Sequence, residues 1–189
     1  MILSRAIPTL PEITGRTIEG LAAPFMVPAS VTDDGGASRY WEQILPEAAN
    51  KTIADRQGGA FPLHVFHPLT SNKGRMPAER IGDVYFTPGA DGLEFHATVD
   101  RSDLGDEMLD LVRDEVGDDV SLCMRPIRNI EGTYEGARLV SRAEIGIREL
   151  SLCPAGTAQH PGSKVLVMRA SHAAATATEI AARLRLLDL

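Results

Sequence analysis

The 189-residue chain has few of the residues that mark specialised classes of protein. It holds only two cysteines, Cys123 and Cys153, which are too few for a disulfide framework and suit a reducing cytosol. Their spacing is not of the metal-binding type, and no glycine-rich motif that cradles phosphate is present. We therefore expect no metal and no cofactor.

Long apolar runs are also absent, so no transmembrane helix is expected. The first residues, MILSRAIPTLPEITG, lack the charged segment and long apolar segment of a secretory signal. Basic residues are outnumbered, with 19 Lys and Arg against 26 Asp and Glu, and the net charge is −7. This balance argues against a nucleic-acid-binding surface, which needs clustered Lys and Arg.

What the chain does have is the composition of an ordinary globular domain, at 43% hydrophobic and 24% charged residues. Its length suits one domain with short tails. We expect an N-terminal arm over residues 1–16, a folded domain over 17–169, and an Ala-rich tail over 170–189 that ends in a short helix.

Period-two alternation and turn residues predict mostly strands. The expected strands cover residues 17–25, 39–45, 61–66, 81–87, 92–99, 119–125, 137–142, the segment around Glu149, and 164–168. Helices are expected over 46–54 and, from apolar residues at helical spacing after the capping Ser102, over 102–116. The segment 28–38 reads as a loop and 131–136 as a turn. The fold class predicted is α+β, mainly β: an antiparallel barrel of about six to seven strands with peripheral helices.

One strand offers a hydroxyl and another a carboxylate. If residues 119–125 form a strand, Ser121 shares a face with Cys123 and Arg125, and the opposite face is apolar. A serine hydroxyl is a weak nucleophile and needs a base within hydrogen-bonding reach. Serines on strands are mostly structural, so the strand pattern alone does not assign a function.

Of the five histidines, His67 is the favoured base. It ends the apolar segment FPLHVFHP next to a long polar loop, where a side chain can be both held and exposed. His64 lies three residues earlier, so on a strand the two would face opposite ways and would not form a metal pair. The ordinary alternative for His67 is an edge histidine at the surface.

Glu149 lies among apolar residues in IGIRELSLCP, and a buried acid is costly unless it has a partner. That partner is either an arginine, in a structural role, or an imidazole, in a catalytic one. Cys123 is a rival nucleophile, although a small buried hydrophobe is its commoner role. A backbone N–H, Arg125 or Arg142 could stabilise an oxyanion.

Four segments together resemble the tailed-phage prohead proteases, serine peptidases whose fold is akin to herpesvirus assemblins. GLAAPF begins the match, with ILPEAANKTIADR in the place of the family's "LPGAF" segment, and FPLHVFHP is similar to "PLLxxHD". The run RIGDV…DGLEFHATV…GDEMLDLVRDEVGDDVSLCM resembles the family segment that ends in "glSiGF". The last, IRELSLCPAGTAQHPGSKV, resembles the segment around "EvSlVt.PA". The match covers about residues 17–168.

The resemblance implies a catalytic set of His67, Ser121 and Glu149. It implies an endopeptidase that enters the immature procapsid in the bacterial host cytoplasm and removes the scaffolding segment of the major capsid protein. Such enzymes usually also cut themselves, which makes the tail after residue 170 a candidate segment for self-cleavage or packaging. An ordinary C-terminal tail is the alternative. Partners other than capsid protein, apart from further copies of the chain, are not implied.

The chain departs from the family pattern at three positions. Pro68 follows the histidine where an acid is usual, Leu-Cys-Met follows Ser121 where Ile-Gly-Phe is usual, and Gly156 stands where Asn is common. These changes motivate a second hypothesis, a catalytically inactive assembly module of the same fold that binds capsid protein. A cysteine enzyme that uses Cys123 is a more distant third.

Overall fold

The computed structural model describes residues 15–33, 38–65 and 79–169. Within these ranges it has nine strands and two helices. The strands are β1 (Thr17–Pro24), β2 (Ala29–Asp33), β3 (Ser38–Ile44), β4 (Phe61–Val65), β5 (Glu79–Pro88), β6 (Gly92–Val99), β7 (Asp119–Tyr134), β8 (Ala137–Cys153) and β9 (Lys164–Arg169). The helices are α1 (Asn50–Asp55) and α2 (Asp103–Arg113).

Seven strands close into a barrel in the order β8-β4-β5-β6-β1-β9-β7, and β7 returns to pair with β8. The prediction of a mainly β barrel with peripheral helices is therefore confirmed. The barrel is mixed rather than purely antiparallel, because β8 lies parallel to both β3 and β4. The chain passes from β3 through α1 to β4. This crossover lets β3 and β4 run in the same direction on the two sides of β8.

Apolar side chains from every barrel strand fill the interior. Alternation sets this pattern: Phe61, Leu63 and Val65 of β4 point inward, as do Val120 and Leu122 of β7. The expectation that residues 120, 122 and 124 share an apolar face is confirmed, because Met124 also packs against the same core. The remaining residues of these strands lie on the outer face of the barrel.

The elements differ from expectation in several places, and one of them is that α2 ends at Arg113 instead of residue 116. Residues 29–33 form β2 instead of a loop, because Ala29 and Val31 are buried in a hairpin with β3. The first helix is shorter than predicted, with only residues 50–55 helical. The turn predicted at 131–136 is reduced to Glu135 and Gly136, so β7 and β8 form one long hairpin.

A β-bulge in β8 decides which of its side chains face outward. Cys123 of β7 pairs with Glu149, but the next residue, Met124, pairs with Ile147, so Arg148 has no partner on β7. Before the bulge Ile145 and Ile147 face the core, and after it Leu150 and Leu152 do. Bulges change the direction of neighbouring side chains, and here Glu149 and Ser151 are placed on the outer face.

No helix among residues 15–33, 38–65 and 79–169 is long and apolar enough to cross a membrane. Predictions for the N-terminal arm lie almost entirely outside the described residues, as do those for the tail after residue 169.

Candidate functional site

Ser121 lies on the outer face of β7, two residues before Cys123. Its neighbours Val120 and Leu122 point into the core, which fixes the strand and therefore the direction of the serine side chain. Ser121 is nevertheless buried, with 4% of its surface exposed. The strand thus holds this hydroxyl in a defined position.

Glu149 lies on the same face of the neighbouring strand, diagonally across from Ser121. Ser121 pairs with Ser151, and Cys123 pairs with Glu149. Diagonal neighbours on paired strands have Cα atoms about 7–8 Å apart. A group that forms hydrogen bonds at both ends can therefore fit between the hydroxyl and the carboxylate.

An imidazole contacts the carboxylate of Glu149. The Nδ1 atom of His64, on β4, contacts Glu149 Oε2, and both side chains are largely shielded from water. Of the two partners left open by the sequence for Glu149, an imidazole is therefore present. A histidine that faces a carboxylate through Nδ1 has the orientation found in catalytic triads, where the acid fixes the ring and its tautomer.

Ser151 occupies the centre of the site. It pairs with Ser121 on one side and with His64 on the other, so His64, Ser151 and Ser121 form a row across three adjacent strands. Its Oγ donates to Glu149 Oε1 over 3.4 Å, and the residue is fully buried. Because the side chain of Ser151 is small, it leaves room on the outer face of β8 for the larger side chains of His64 and Glu149.

Cys123 lies directly opposite Glu149 and is partly exposed. Burial and the negative charge of Glu149 raise the pKa of its thiol, and Arg148 only partly offsets them. A cysteine nucleophile needs a lowered pKa, because the thiolate is the reactive form. The environment of Cys123 therefore opposes the cysteine-enzyme hypothesis.

The structure brings Ser121 and Glu149 together, whereas His67 lies outside the described residues. Arg125, a suggested oxyanion donor, is exposed on β7 beyond Cys123. Arg142, the other suggested donor, is buried elsewhere and binds Glu42, Tyr40 and Asn129. Neither arginine has a described contact with Ser121.

His64 is the residue that sequence reasoning passed over. The HxxH spacing excludes a metal pair on a strand, and a place beside a loop favours His67 as the base. The signal that identifies His64 is the alternation of FPLHV, which turns residues 61, 63 and 65 inward and residue 64 outward. Its contact with Glu149 depends on β4 lying parallel to β8, which no local pattern reveals.

A cavity of about 400 Å³ lies on another part of the barrel, lined among others by Glu19, Glu94, His96 and Leu166. It contains neither Ser121 nor Glu149, and its one histidine, His96, lies 3.2 Å from the carboxylate of Glu19. Neither a serine nor a cysteine is among the described residues that line it. We therefore place the candidate site at Ser121 rather than at this cavity.

No group of three or more His, Cys, Asp and Glu residues that could hold a metal ion occurs in the described part of the chain. No protein-family model matches the sequence, and no curated protein is significantly similar to it.

Proposed function

We propose that this chain is a serine endopeptidase in which Ser121 attacks the scissile carbonyl and Glu149 orients the catalytic imidazole. The substrate proposed is the scaffolding segment of a phage major capsid protein, together with the chain's own tail. The substrate rests on the resemblance of the four segments to prohead proteases. The chemistry rests on one observation, that Ser121 and Glu149 lie diagonally across two paired strands on one outer face, at a spacing that an imidazole can bridge.

The proposed base is His67, the histidine that the resemblance assigns. It takes the proton from Ser121 as the hydroxyl attacks, and later gives that proton to the leaving amine. Glu149 stabilises the imidazolium formed in between. The geometry supports this sequence of steps, because the diagonal spacing of Ser121 and Glu149 suits a bridging imidazole.

The Leu-Cys-Met segment after Ser121 is compatible with this chemistry. Leu122 and Met124 pack against the core, so they do not occupy the outer face on which Ser121 lies. Only Cys123 replaces a smaller residue there, and its side chain lies beside Glu149 in the pairing register rather than beside Ser151. The departure from the family pattern therefore changes the surroundings of Glu149 more than those of Ser151 at the centre of the site.

Co-expression with the cognate major capsid protein tests the proposal. We expect processing of the capsid protein and of the tail, detected by intact mass. Ser121→Ala should lower the rate by on the order of 10⁶-fold, and Glu149→Gln by on the order of 10⁴-fold. His67→Ala should match the serine variant, because the two residues act as a unit.

Ser141→Ala is the matched control. Ser141 is also a buried serine on a paired strand, but its Oγ accepts from Gln43 Nε2 over 2.9 Å, away from the site. It should process substrate at the rate of the parent protein. Equal processing by the Ser121→Ala variant would exclude this serine as the nucleophile.

A fluorophosphonate probe separates the enzyme from the inactive assembly module. Labelling of Ser121, located by peptide mass and absent in Ser121→Ala, is expected of the enzyme. Binding of capsid protein without labelling and without processing would instead establish the assembly module.

A further inference from the structure

Glu149 is contacted at both of its carboxylate oxygens by side chains outside the proposed catalytic set. Oε2 meets Nδ1 of His64, and Oε1 accepts a hydrogen bond from Ser151 Oγ at 3.4 Å. Glu149 as a residue is 6% exposed. A buried carboxylate needs polar partners to remain charged, and the positions of those partners decide how it is oriented.

The strands fix the positions of both contacting residues. His64 lies on β4 between the inward-pointing Leu63 and Val65, and its backbone pairs with Ser151. Ser151 in turn lies between inward-pointing Leu150 and Leu152 on β8. The neighbouring core residues therefore fix the direction in which each of these side chains leaves its strand. The contacts to Glu149 are therefore built into the barrel rather than supplied by a loop.

We propose that His64 is a positioning residue, whose Nδ1–H donates to Glu149 and holds the carboxylate, together with Ser151, in the orientation that the catalytic imidazole needs. This inference rests on the proposed function. It adds a second functional histidine that neither the resemblance nor the spacing assigns.

The place of His64 in the sheet favours positioning over proton transfer. β8 lies between β4 and β7, so two strand spacings, about 9–10 Å, separate the backbones of His64 and Ser121. Glu149 projects from the strand between them. His64 therefore reaches the carboxylate from the side of β8 that is remote from the serine.

The first test does not depend on activity. In ¹⁵N-histidine-labelled Ser121→Ala protein, long-range ¹H–¹⁵N spectra should show His64 with its proton on Nδ1, and the His64→Asn variant assigns the signal. Glu149→Gln should shift the Nδ1 resonance of His64, and Ser151→Ala should shift it less. A His64 signal with the proton on Nε2, unchanged by Glu149→Gln, would overturn the inference.

The second test compares His64→Ala with His64→Asn during processing of capsid protein. The alanine variant should lose about 10- to 100-fold in kcat at unchanged KM, the range expected when a hydrogen bond to a charged group is removed. Asparagine places an amide donor near the position of Nδ1, so it should restore most of the rate. Thermal melting of each variant checks that it is folded.

Each other result decides against positioning. If His64→Asn loses as much of the processing rate as Ser121→Ala does, while His67→Ala remains active, His64 is the base. Full activity in His64→Ala would remove it from the site. If the parent protein processes nothing and is not labelled, the proposed function fails, whereas the spectra still report whether His64 donates to Glu149.

Discussion

Glu42 is a buried acid that is separate from the candidate site and is held by basic side chains. Arg142 donates to its Oε2, and His160 Nε2 lies 3.3 Å from its Oε1. Tyr40 and Asn129 accept the remaining guanidinium hydrogen bonds at 2.9 and 3.1 Å. Burial alone would raise the pKa of Glu42, but the contacts with His160 and Arg142 outweigh it and the pKa is lowered.

A lowered pKa in the folded state links this acid to stability at low pH. Its contribution is complete above the pKa of the unfolded chain, about 4.5, and is lost as pH falls through the lower pKa of the folded protein. Glu42→Gln should destabilise the protein by about 3–5 kcal/mol at pH 7, because it leaves Arg142 buried without its counter-charge. The stability of the Glu42→Gln variant should also vary less with pH below 4.5 than that of the parent protein.

Urea unfolding at several pH values measures both effects, with the exposed Glu47→Gln as control. A variant as stable as the control, with the acid dependence of the parent protein, would show that the ion pair contributes nothing.

At the level of single residues, the sequence indicates the serine and the acid but not all of their neighbours. Ser121 and Glu149 are conspicuous because each is a polar residue within an apolar strand. His64 and Ser151 are also polar residues that alternate with apolar ones. Their contacts with Glu149, however, depend on which strands lie next to each other in the sheet. The link between Glu42 and Arg142, 100 residues apart, is equally invisible to local patterns.

The β7–β8 hairpin continues beyond the barrel, where β8 pairs with β3. From Arg125 to the turn, every residue of β7 is exposed. The two turn residues, Glu135 and Gly136, have φ values of 50° and 76°, as a type I′ hairpin turn requires. Trp41 packs edge-on against Tyr134, with ring centroids 5.0 Å apart. The hairpin is thus held by its turn and by contacts with β3.

Gly136→Ala tests the turn. A side chain in the left-handed region costs about 1–2 kcal/mol, so we expect a loss of that size in the free energy of unfolding. Gly132→Ala is a matched control in the same hairpin, because its added methyl group would meet nothing closer than Leu139 Cδ2 at 4.0 Å. The control should be neutral or slightly stabilising. Equal losses in the two variants would contradict the role assigned to the turn.

Elements whose signals lie in consecutive residues of the chain were predicted well. Helix α2 begins after Ser102, whose Oγ accepts from the Gly105 N–H at 3.1 Å, and β5 and β6 form the expected hairpin. The strand β2 was missed because its turn-forming residues suggest a loop, while its burial comes from pairing with β3. The length of β8 was missed because the bulge at Arg148 breaks its alternation.

The barrel as a whole is closed unevenly. Between β5 and β6 seven residue pairs align, whereas β7 and β9 share only the pair Asp119 and Lys164. Val165 N–H donates to Asp118 at 2.7 Å, Val120 N–H donates to Ser163 at 3.1 Å, and Lys164 forms an ion pair with Asp118 at 2.7 Å. Few bonds therefore hold this junction.

Hydrogen exchange should reveal the difference. We expect the amides of Val120 and Val165 to exchange faster than that of Ala97 at the centre of β6, because local opening at a short junction breaks fewer bonds than opening in a long ladder. All three residues are buried, so exposure does not explain such a contrast. Equal protection, measured by NMR under native conditions, would show that the barrel opens as one unit.

Fold class followed from the sequence because many short alternating segments with few helices favour a barrel. Strand order did not, since β3 and β4 reach β8 from distant positions in the chain and lie parallel to it. The relation between Ser121 and Glu149 was accessible, because one hairpin joins their strands.

The length of that hairpin separates two regions of the surface. Thirteen residue steps along β7 separate Ser121 from Tyr134, which corresponds to about 40 Å at the rise of an extended strand. An epitope or fluorophore spliced in at Glu135 would sit at the far end of this arm. It would offer a handle for imaging or affinity capture at a distance from Ser121.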